Sequence, residues 1–379
     1  MTLAGVNSGL TEDQRALRED LRAFAVEEIR PHAAAADREE SFPEGVWDAL
    51  ADRGLTGLTV PEQYGGLDAD RTTYSLVNEE VAYGQLAVAS ALSVHYLVTS
   101  CIAEFGTEAQ RERWLPSMAE GRPVGMFALS ESGAGSNPAE METVARREGD
   151  EYVVDGRKQW ITNGQRGEVC ILFAKTDPDD PSSVTQFLVP KSAGIEVGRK
   201  ESKLGLRASD TAALVFDGVR IPAENRLTEE GRGLSAAFHI LTGGRIGIAA
   251  QALGLAQAAY DEAEASVTGS DDGRPADRQA VRHAVAEMGT SITAARLLVR
   301  EAARQADAGA DPRLVAAMAK LVASEAAVDA TNEALSLLGY RGYTARSDAE
   351  RFFRDAKITT IYEGTSEIQK TIVARGLLD

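Results

Sequence analysis

The stretch KITTIYEGTSEIQKTIVAR, residues 357–375, lies almost at the end of the 379 residues and places a carboxylate at a tight corner. Glu363 follows Tyr362 and precedes Gly364, between two segments that have the composition of helices. Two interpretations compete. In the first, the string EGTSEIQ only starts a helix. In the second, burial at the corner raises the pKa of the carboxyl group and makes it a base suited to neutral pH.

The composition is that of a globular protein, with 44% hydrophobic and 26% charged residues, and the length predicts two or three domains. A net charge of −18 disfavours nucleic acid and anionic membranes as partners, because both are negatively charged. Cys101 and Cys170 are too few for a disulfide framework or a thiolate metal site and indicate a reducing compartment. We find no signal peptide and no run of transmembrane length, and therefore expect a cytoplasmic protein.

The chain changes texture twice, which predicts three domains. Residues 1–123 show helical periodicity, residues 124–227 contain short segments rich in Val, Ile, Phe and Thr, and residues 228–379 are helical again. The last part holds three long amphipathic segments and a short final helix. We expect an α+β multidomain protein with an N-terminal α-helical domain, a middle β-barrel-like domain and a C-terminal four-helix bundle.

Local signals predict several element ends. Thr11 is the expected N-cap of the first helix and Pro31 its expected end. Asp155-Gly156 and the string DPDDPSS at 177–183 are expected turns. The four histidines are far apart and lack ligand spacing, so we expect no metal at any of them: His32, His95, His239 and His283.

Two motifs in the β region are weak when taken singly. FALSESGAGSNPAEMETVA, residues 127–145, contains a Gly-rich loop that could present backbone N–H groups to a polar ligand. It is not GxGxxG, and a plain turn explains it as well. RKQWITNG, residues 157–164, places Trp160 and Thr162 on a strand. The Trp is suited either to core packing or to contact with a flat cofactor.

Taken in order, the motifs resemble the acyl-CoA dehydrogenase family. The resemblance rests on FALSESGAGS, KQWITNG, KLGLRASDTAALVFDGVRIPAENRL, GRIGIAAQALGLAQ and RDAKITTIYEGTSEIQ, and it extends to VPEQYGG at residues 60–66. It implies the three-domain fold expected from the texture. It also implies FAD bound between the β domain and the bundle, and a homotetramer.

The resemblance assigns roles to individual residues. Glu363 is implied to be the base that removes the α-proton of an acyl thioester, while the β-hydrogen leaves as hydride to flavin N5. Gly364 leaves room for the acyl group, and Arg245 and Ser136 lie near the substrate. The residues that match the family's cofactor contacts are Phe127, Leu129, Ser130, Gly135, Ser136, Trp160, Thr162, Gln279, Thr365, Ser366 and Glu367.

Some family members carry the base immediately before an Arg on an earlier helix. Here that position is Gly244, preceding Arg245, so the alternative base is missing and Glu363 is favoured. Arg245 is equally well explained as a member of a helix-surface ion pair. Thr242 stands where related sequences often carry Asp, so the usual carboxylate partner of this Arg is expected to be missing.

The motifs that contact a neighbouring subunit's FAD depart from the family. In place of Arg-x-x-Phe-Gly the chain has GSDDGRP, and in place of Gln-x-x-Gly-Gly it has SLLGY. Only Gln279 of this set is retained. Three explanations stay open: weak FAD binding, a new pyrophosphate contact from Arg274 or Arg341, or contacts from another polypeptide. One residue is also missing just beyond Asp272, and the positions that depart from the family's motifs are Gly269, Asp271, Asp272, Ser336 and Tyr340.

We therefore expect an FAD-dependent acyl thioester dehydrogenase whose acyl group is carried by CoA or by a carrier protein. An electron-transferring flavoprotein is the expected acceptor. Two alternatives remain: a subunit of a hetero-oligomeric acyl-CoA dehydrogenase, and a flavin oxidase or monooxygenase on the same fold.

Overall fold

The computed structural model describes residues 9–269 and 275–378. Its first part is helical, as the periodicity predicts. Thr11 caps the first helix: its side chain accepts a hydrogen bond from the backbone N–H of Gln14, and the Gln14 side chain accepts one from the backbone N–H of Thr11. The helices are α1 (Glu12–Phe24), α2 (Arg30–Glu39), α3 (Glu44–Asp52), α4 (Arg71–Gly84), α5 (Leu86–Phe105) and α6 (Glu108–Ala119).

The expected helix end at Pro31 was wrong. A π-helical turn at Ala25–Ile29 joins α1 to α2, and Pro31 falls in the first turn of α2. Proline is tolerated in the first turn of an α-helix, and the π-helical turn carries the chain into α2, with the backbone N–H of Arg30 donating to the carbonyl of Ala25. The helical segment therefore continues to Glu39.

The middle part is a curled mixed sheet of seven strands. The strand order is β1-β4-β2-β3-β7-β6, and β5 pairs with β4. β4 runs parallel to β1 and antiparallel to β5. The strands are β1 (Gly125–Ala128), β2 (Val144–Glu148), β3 (Glu151–Ile161), β4 (Val169–Lys175), β5 (Val184–Pro190), β6 (Glu196–Lys200) and β7 (Ala212–Pro222).

Asp155-Gly156 is not a turn, contrary to the sequence-based expectation. Both residues lie within β3, where the pairing with β7 shifts register between Val154 and Gly156. Gly156 has a φ of +151°, and a Cβ there would overlap Thr143. Glycine is therefore required by a bulge and a close strand approach rather than by a chain reversal.

The last part is a helical bundle in which α9 contacts α7, α8, α10 and α11, and α7 also packs on α4 and α5. Buried alanines along α7 and α9 let their axes approach closely. Gly254 allows the same against α4, because a Cβ there would overlap the carbonyl oxygen of Glu79. The helices are α7 (Gly233–Thr268), α8 (Gln279–Asp307), α9 (Arg313–Leu338), α10 (Ala349–Thr359) and α11 (Ser366–Leu378).

A buried ionic cluster fastens the N-terminal helices to the bundle. Glu79 on α4 has no exposed surface, and its carboxylate accepts from Arg18 of α1 at 3.1 Å, from Arg296 at 3.1 Å and from Arg300 at 2.6 Å, both on α8. Burial by itself raises the pKa of Glu79, but the guanidinium groups outweigh it and lower the pKa to about 2. The carboxylate is therefore ionised at all ordinary pH values.

Helix α5 tests the expectation that no segment is long and apolar enough to cross a membrane. By length and composition alone α5 could cross a bilayer, so the expectation that no stretch reaches that length was wrong. However, 83% of its apolar window is buried inside the protein. Its apolar composition is explained by packing, since Leu92, Val98 and Ile102 have no exposed surface.

Candidate active site

Glu363 lies in the turn between α10 and α11. Glu363 and the next residue, Gly364, both have a left-handed backbone conformation. The φ angles are +50° at Glu363 and +99° at Gly364. A left-handed conformation is easy for glycine, but for a glutamate it costs about 1–3 kcal/mol, so the surrounding structure must hold it. The backbone N–H of Ser366 closes the turn on the carbonyl of Thr360 at 3.0 Å. The sequence-based expectation of a tight corner agrees with this geometry.

The carboxylate of Glu363 points at the bundle interior. Its Oε2 is buried and accepts no hydrogen bond from residues 9–269 or 275–378. A Cβ on Gly244 of α7 would overlap this oxygen, and a methyl group of Leu97 on α5 also lies close to that position. Burial raises the pKa of Glu363 to about 7, while Lys320 and Arg245 act in the opposite direction. A carboxyl group with such a pKa is suited to accept a proton near neutral pH.

Arg245 is buried on α7 and is not part of a surface ion pair, so that alternative is wrong. Its Nη1 donates to Oγ1 of Thr242 at a long 3.4 Å. Its Nε is buried and makes no hydrogen bond in the described part of the chain. Burial lowers the pKa of Arg245, and Glu363 partly restores it. The two side chains thus belong to one electrostatic site.

Lys320 on α9 was not predicted from the sequence. This side chain is completely buried, and its Nζ donates to the carbonyl oxygen of Gly364 at 2.7 Å. Gln369 of α11 donates to the same oxygen at 3.0 Å. A lysine in an amphipathic helix usually lies on the solvated face. Nothing in the local pattern indicates that this one reaches a backbone carbonyl 44 residues away.

A small cavity of about 30 Å³ begins beside Gly244. Tyr74 forms part of its wall, and the Tyr74 hydroxyl occupies the space that a Cβ on Gly247 would need. Burial raises the pKa of Tyr74 to about 12, so its phenol is neutral. The lining residues are Arg71, Tyr74, Tyr96, Leu97, Ser100, Glu104, His239, Ile240 and Gly244.

The β-domain candidates lie on β1 and the loop after it. Phe127 is half-buried and packs on Phe173 with ring centroids 5.0 Å apart. Leu129 is buried and shares an apolar cluster with Leu97 and Ile240, which line the cavity beside Gly244. Ser130 is half-buried, and Gly135 and Ser136 are exposed in the loop. The cluster connects the β sheet to the helices that surround Glu363.

A buried ion pair, Lys158 with Glu131, holds the start of that loop, and it was not predicted from the sequence either. Lys158 is completely buried, and its Nζ donates to Glu131 at 2.8 Å and to the carbonyl of Leu129 at 3.1 Å. Glu131 also accepts from the backbone N–H of Thr143 at 3.0 Å. Both residues stand within the quoted motifs, so their proximity to the candidate residues was the signal available.

Trp160 is presented to solvent by a bulge. The β3–β7 pairing shifts register between Lys158 and Ile161, and Trp160 has a φ of +63°. The residue is 58% exposed, which is unusual for a strand tryptophan. Bulges re-aim side chains and are frequent at functional sites. Thr162 follows the strand and is half-buried.

The three C-terminal cofactor candidates lie together in a second cavity of about 380 Å³, which Thr365, Ser366 and Glu367 line with Lys357 and Lys370. The hydroxyl of Ser366 is buried and makes no hydrogen bond within the described residues.

The orphaned polar atoms of Glu363, Arg245, Ser366 and Gln369, with the exposed Trp160 ring, suit a flat cofactor and a polar substrate. The residues present therefore fit a flavin.

Gln279 is separate from these groups. It begins α8 and is exposed. Gly269 ends α7, and Ser336 lies in the last turn of α9. Tyr340 is 72% exposed.

Asp271, Asp272 and Arg274 lie outside the described residues. In residues 9–269 and 275–378, no three His, Cys, Asp or Glu side chains are grouped as metal ligands.

Known proteins match this chain along its length. Models of the N-terminal, middle and C-terminal domains of acyl-CoA dehydrogenase match residues 11–122, 126–219 and 231–378. The mitochondrial short-chain specific acyl-CoA dehydrogenase of Bos taurus is 42% identical over 377 residues, which cover 97% of this chain and 91% of that protein.

Solved structures of related proteins also match this chain over nearly its whole length. Butyryl-CoA dehydrogenase of Megasphaera elsdenii superposes with a TM-score of 0.94 and 37% identity, covering 99% of this chain and 100% of that one. A chain from work on the electron transferring flavoprotein of Acidaminococcus fermentans gives a TM-score of 0.95 and 36% identity, covering 98% and 100%.

Fold and site thus define a flavoprotein-type oxidoreductase that acts on CH–CH groups. The chain belongs to the acyl-CoA dehydrogenase family.

Proposed function

We propose that this enzyme dehydrogenates an acyl thioester between its α and β carbons with FAD, and that Glu363 removes the α-proton. The observation that carries this proposal is the Glu363 carboxylate, buried against Gly244 without a hydrogen bond to Oε2 among the described residues. An α-C–H is a very weak acid, so its base must be desolvated and aimed. A pKa of about 7 leaves much of Glu363 ionised at neutral pH and still basic enough to accept the proton.

The thioester oxygen gains negative charge as the α-proton leaves, and it needs a hydrogen-bond donor. The backbone N–H of Glu363 donates to no acceptor in the described part of the chain. The left-handed turn fixes the direction of this N–H, because Gly364 is held through its carbonyl by Lys320 and Gln369. The same residue thus supplies both the base and a donor to the oxygen.

FAD, when bound, supplies the acceptor for the hydrogen that leaves the β-carbon as hydride. Trp160 would pack against the flavin ring, and Thr162 would donate to its edge. The remaining contacts that we assign to FAD come from Phe127, Leu129, Ser130, Gly135, Ser136, Gln279, Thr365, Ser366 and Glu367. Arg245 and Gly364 would face the substrate.

The acyl group that we propose is short. The cavity beside Gly244 is small, with a volume of about 30 Å³. Tyr74 and Tyr96 are almost completely buried and limit it. The bovine relative is named a short-chain enzyme and the Megasphaera relative a butyryl-CoA enzyme, which supports the same length. CoA and an acyl carrier protein both remain candidate carriers.

We extend the proposal to partners by analogy with the relatives. An electron-transferring flavoprotein would reoxidise the flavin, since one structural neighbour comes from work on such a protein. A homotetramer is the proposed assembly. A cavity of about 710 Å³ between α7 and α8, lined mainly by apolar atoms, offers a surface for a second copy.

Anaerobic visible spectroscopy of the purified enzyme tests the proposal. Short acyl-CoA thioesters should bleach the flavin, and longer ones should bleach it more slowly. Tyr74→Ala should shift this preference towards longer chains, whereas Tyr343→Ala, at a side chain 84% exposed, should not. Absence of bleaching with every thioester, on CoA and on carrier protein alike, would refute the proposed activity.

A further inference from the structure

The proposed reaction does not by itself explain why a lysine, Lys320, is buried next to the Glu363 corner. Its side chain has no exposed surface, and in residues 9–269 and 275–378 no carboxylate lies within 4.0 Å of its ammonium group. Burying a charged amine without an ion pair is expensive. A neutral side chain could pack in the same place, so the charge itself must serve a purpose.

The ammonium group holds the corner that carries Glu363. Its bond to the carbonyl oxygen of Gly364 is 2.7 Å long, which is short for such a contact and typical of charge assistance. Gly364 directly follows the left-handed Glu363. The contact therefore restrains the peptide next to the base and favours the strained backbone.

The charges that face Glu363 are predominantly positive. Arg245 approaches from α7 and Lys320 from α9, while Tyr74 of α4 and the adjacent Tyr362 are buried phenols whose pKa values lie far above neutral. Lys320 is the stronger of the two cations in lowering the pKa of Glu363. Burial lowers the pKa of Lys320 to about 8, and Glu363 is the carboxylate that chiefly opposes this.

We propose that Lys320 is a positioning residue for the base: its ammonium group fixes the Glu363–Gly364 corner and keeps the Glu363 carboxylate ionised at neutral pH. This inference rests on the proposed function of Glu363. The charge explains why a lysine occupies a completely buried position, because without it burial would push the base towards its protonated and inactive form. Arg245 supplies a second positive charge but makes no hydrogen bond to the corner in the described part of the chain.

The test compares charge with hydrogen bonding at one site. Lys320→Met removes both, Lys320→Gln keeps an N–H donor, and Lys320→Arg keeps the charge. Lys191→Met is the matched control, because the Lys191 Nζ also donates to a backbone carbonyl, that of Gln165 at 2.6 Å, but in the β domain. FAD content and thermal unfolding show whether each variant is folded.

Infrared spectroscopy reads the ionisation of Glu363 directly, since the band of its protonated carboxyl group is the one that Glu363→Gln removes. In Lys320→Met and Lys320→Gln the midpoint of this band should move to higher pH by about one unit or more, as expected for the loss of a nearby opposite charge. Lys320→Arg and Lys191→Met should keep the wild-type midpoint. The acidic limb of the pH–rate profile for thioester-dependent bleaching should shift equally, with the rate recovering at high pH.

An unmoved infrared midpoint in both charge-removing variants would overturn the inference, as would a rate loss at all pH values with an unshifted limb. If Lys320→Met does not fold, Lys320→Gln decides. Failure of the proposed function is distinguishable: Glu363→Gln would then bleach at the wild-type rate, while the infrared titration would still report whether Lys320 controls the carboxyl group.

Discussion

Gly244 of α7 lies directly against the carboxylate of Glu363, so closely that a Cβ at Gly244 would overlap Oε2. Two positions 119 residues apart in the numbering therefore compete for one volume. The resemblance to the family implies that its members carry the base at one or the other of these two positions. Here the glycine provides the space and the carboxylate of Glu363, which comes from the α10–α11 turn, fills it.

This contact predicts that Gly244→Ala impairs the enzyme without unfolding it. Alanine favours helix formation over glycine by about 1 kcal/mol, but its methyl group would displace the Glu363 carboxylate. We expect the rate of thioester-dependent bleaching to fall by at least about tenfold, because misplacement of a reacting group by about 1 Å is costly. Gly45→Ala, at an exposed position of α3 where a Cβ would meet no other atom within 4 Å, is the control and should bleach normally. An unchanged rate in Gly244→Ala would mean that Glu363 adopts another position during catalysis.

Glu363 should make stability depend on pH in a particular direction. Its pKa is raised from the ordinary 4.5 to about 7, so the folded state favours the protonated form. The wild-type protein should therefore lose stability as pH rises from 4.5 to 7, relative to Glu363→Gln, and the difference should stay constant above that range. Thermal unfolding of the two proteins from pH 4.5 to 8 measures it. A stability difference that does not change over this range would contradict the raised pKa.

The ionic cluster around Glu79 predicts the opposite dependence. Its pKa is lowered to about 2, so the stabilisation is present above pH 4.5 and declines as pH falls towards 2. Glu79→Gln leaves Arg18, Arg296 and Arg300 without their central carboxylate and should reduce the free energy of unfolding by about 3–5 kcal/mol. Urea unfolding at pH 7 measures this loss.

The matched control for Glu79 is Glu148→Gln. Glu148 pairs with Arg220 at 3.0 Å, but both side chains are 55% exposed, and an exposed pair contributes about 0–1 kcal/mol. Equal losses in the two variants would show that burial does not strengthen the Glu79 cluster.

Trp160 and Thr162 should separate cofactor binding from turnover. Trp160→Ala removes a large packing surface and should weaken FAD retention during gel filtration. Thr162→Ala should retain FAD but change the flavin reduction potential and slow its reduction, because a hydrogen bond to the ring edge tunes the cofactor. Trp114→Ala, at a half-buried Trp of α6, controls for loss of an aromatic side chain. If Trp160→Ala and Thr162→Ala both hold FAD and react normally, the placement of the flavin on the β domain is wrong.

The sequence predicts the three-part fold because periodicity is local: helical and strand patterns are visible in each segment. It also predicts the corner at Glu363, since segments with the composition of helices lie on both sides of it. It does not predict that Asp155-Gly156 lies inside a strand, because the close approach of Thr143 that requires the glycine is a contact between strands. Lys320 is missed for a similar reason, since its partner is a backbone carbonyl in another element.

The proposed reaction depends most directly on the basicity of Glu363, and Glu363→Gln isolates this basicity by keeping the size of the side chain and its capacity to hydrogen bond. The decisive measurement is stopped-flow bleaching of enzyme-bound FAD by a short acyl-CoA at pH 8 under anaerobic conditions, in wild-type protein and in Glu363→Gln at equal FAD content. We expect the first-order rate constant to fall by about 10²–10⁴-fold, the usual contribution of a general base, with FAD still bound. Bleaching of Glu363→Gln at the wild-type rate would contradict the account.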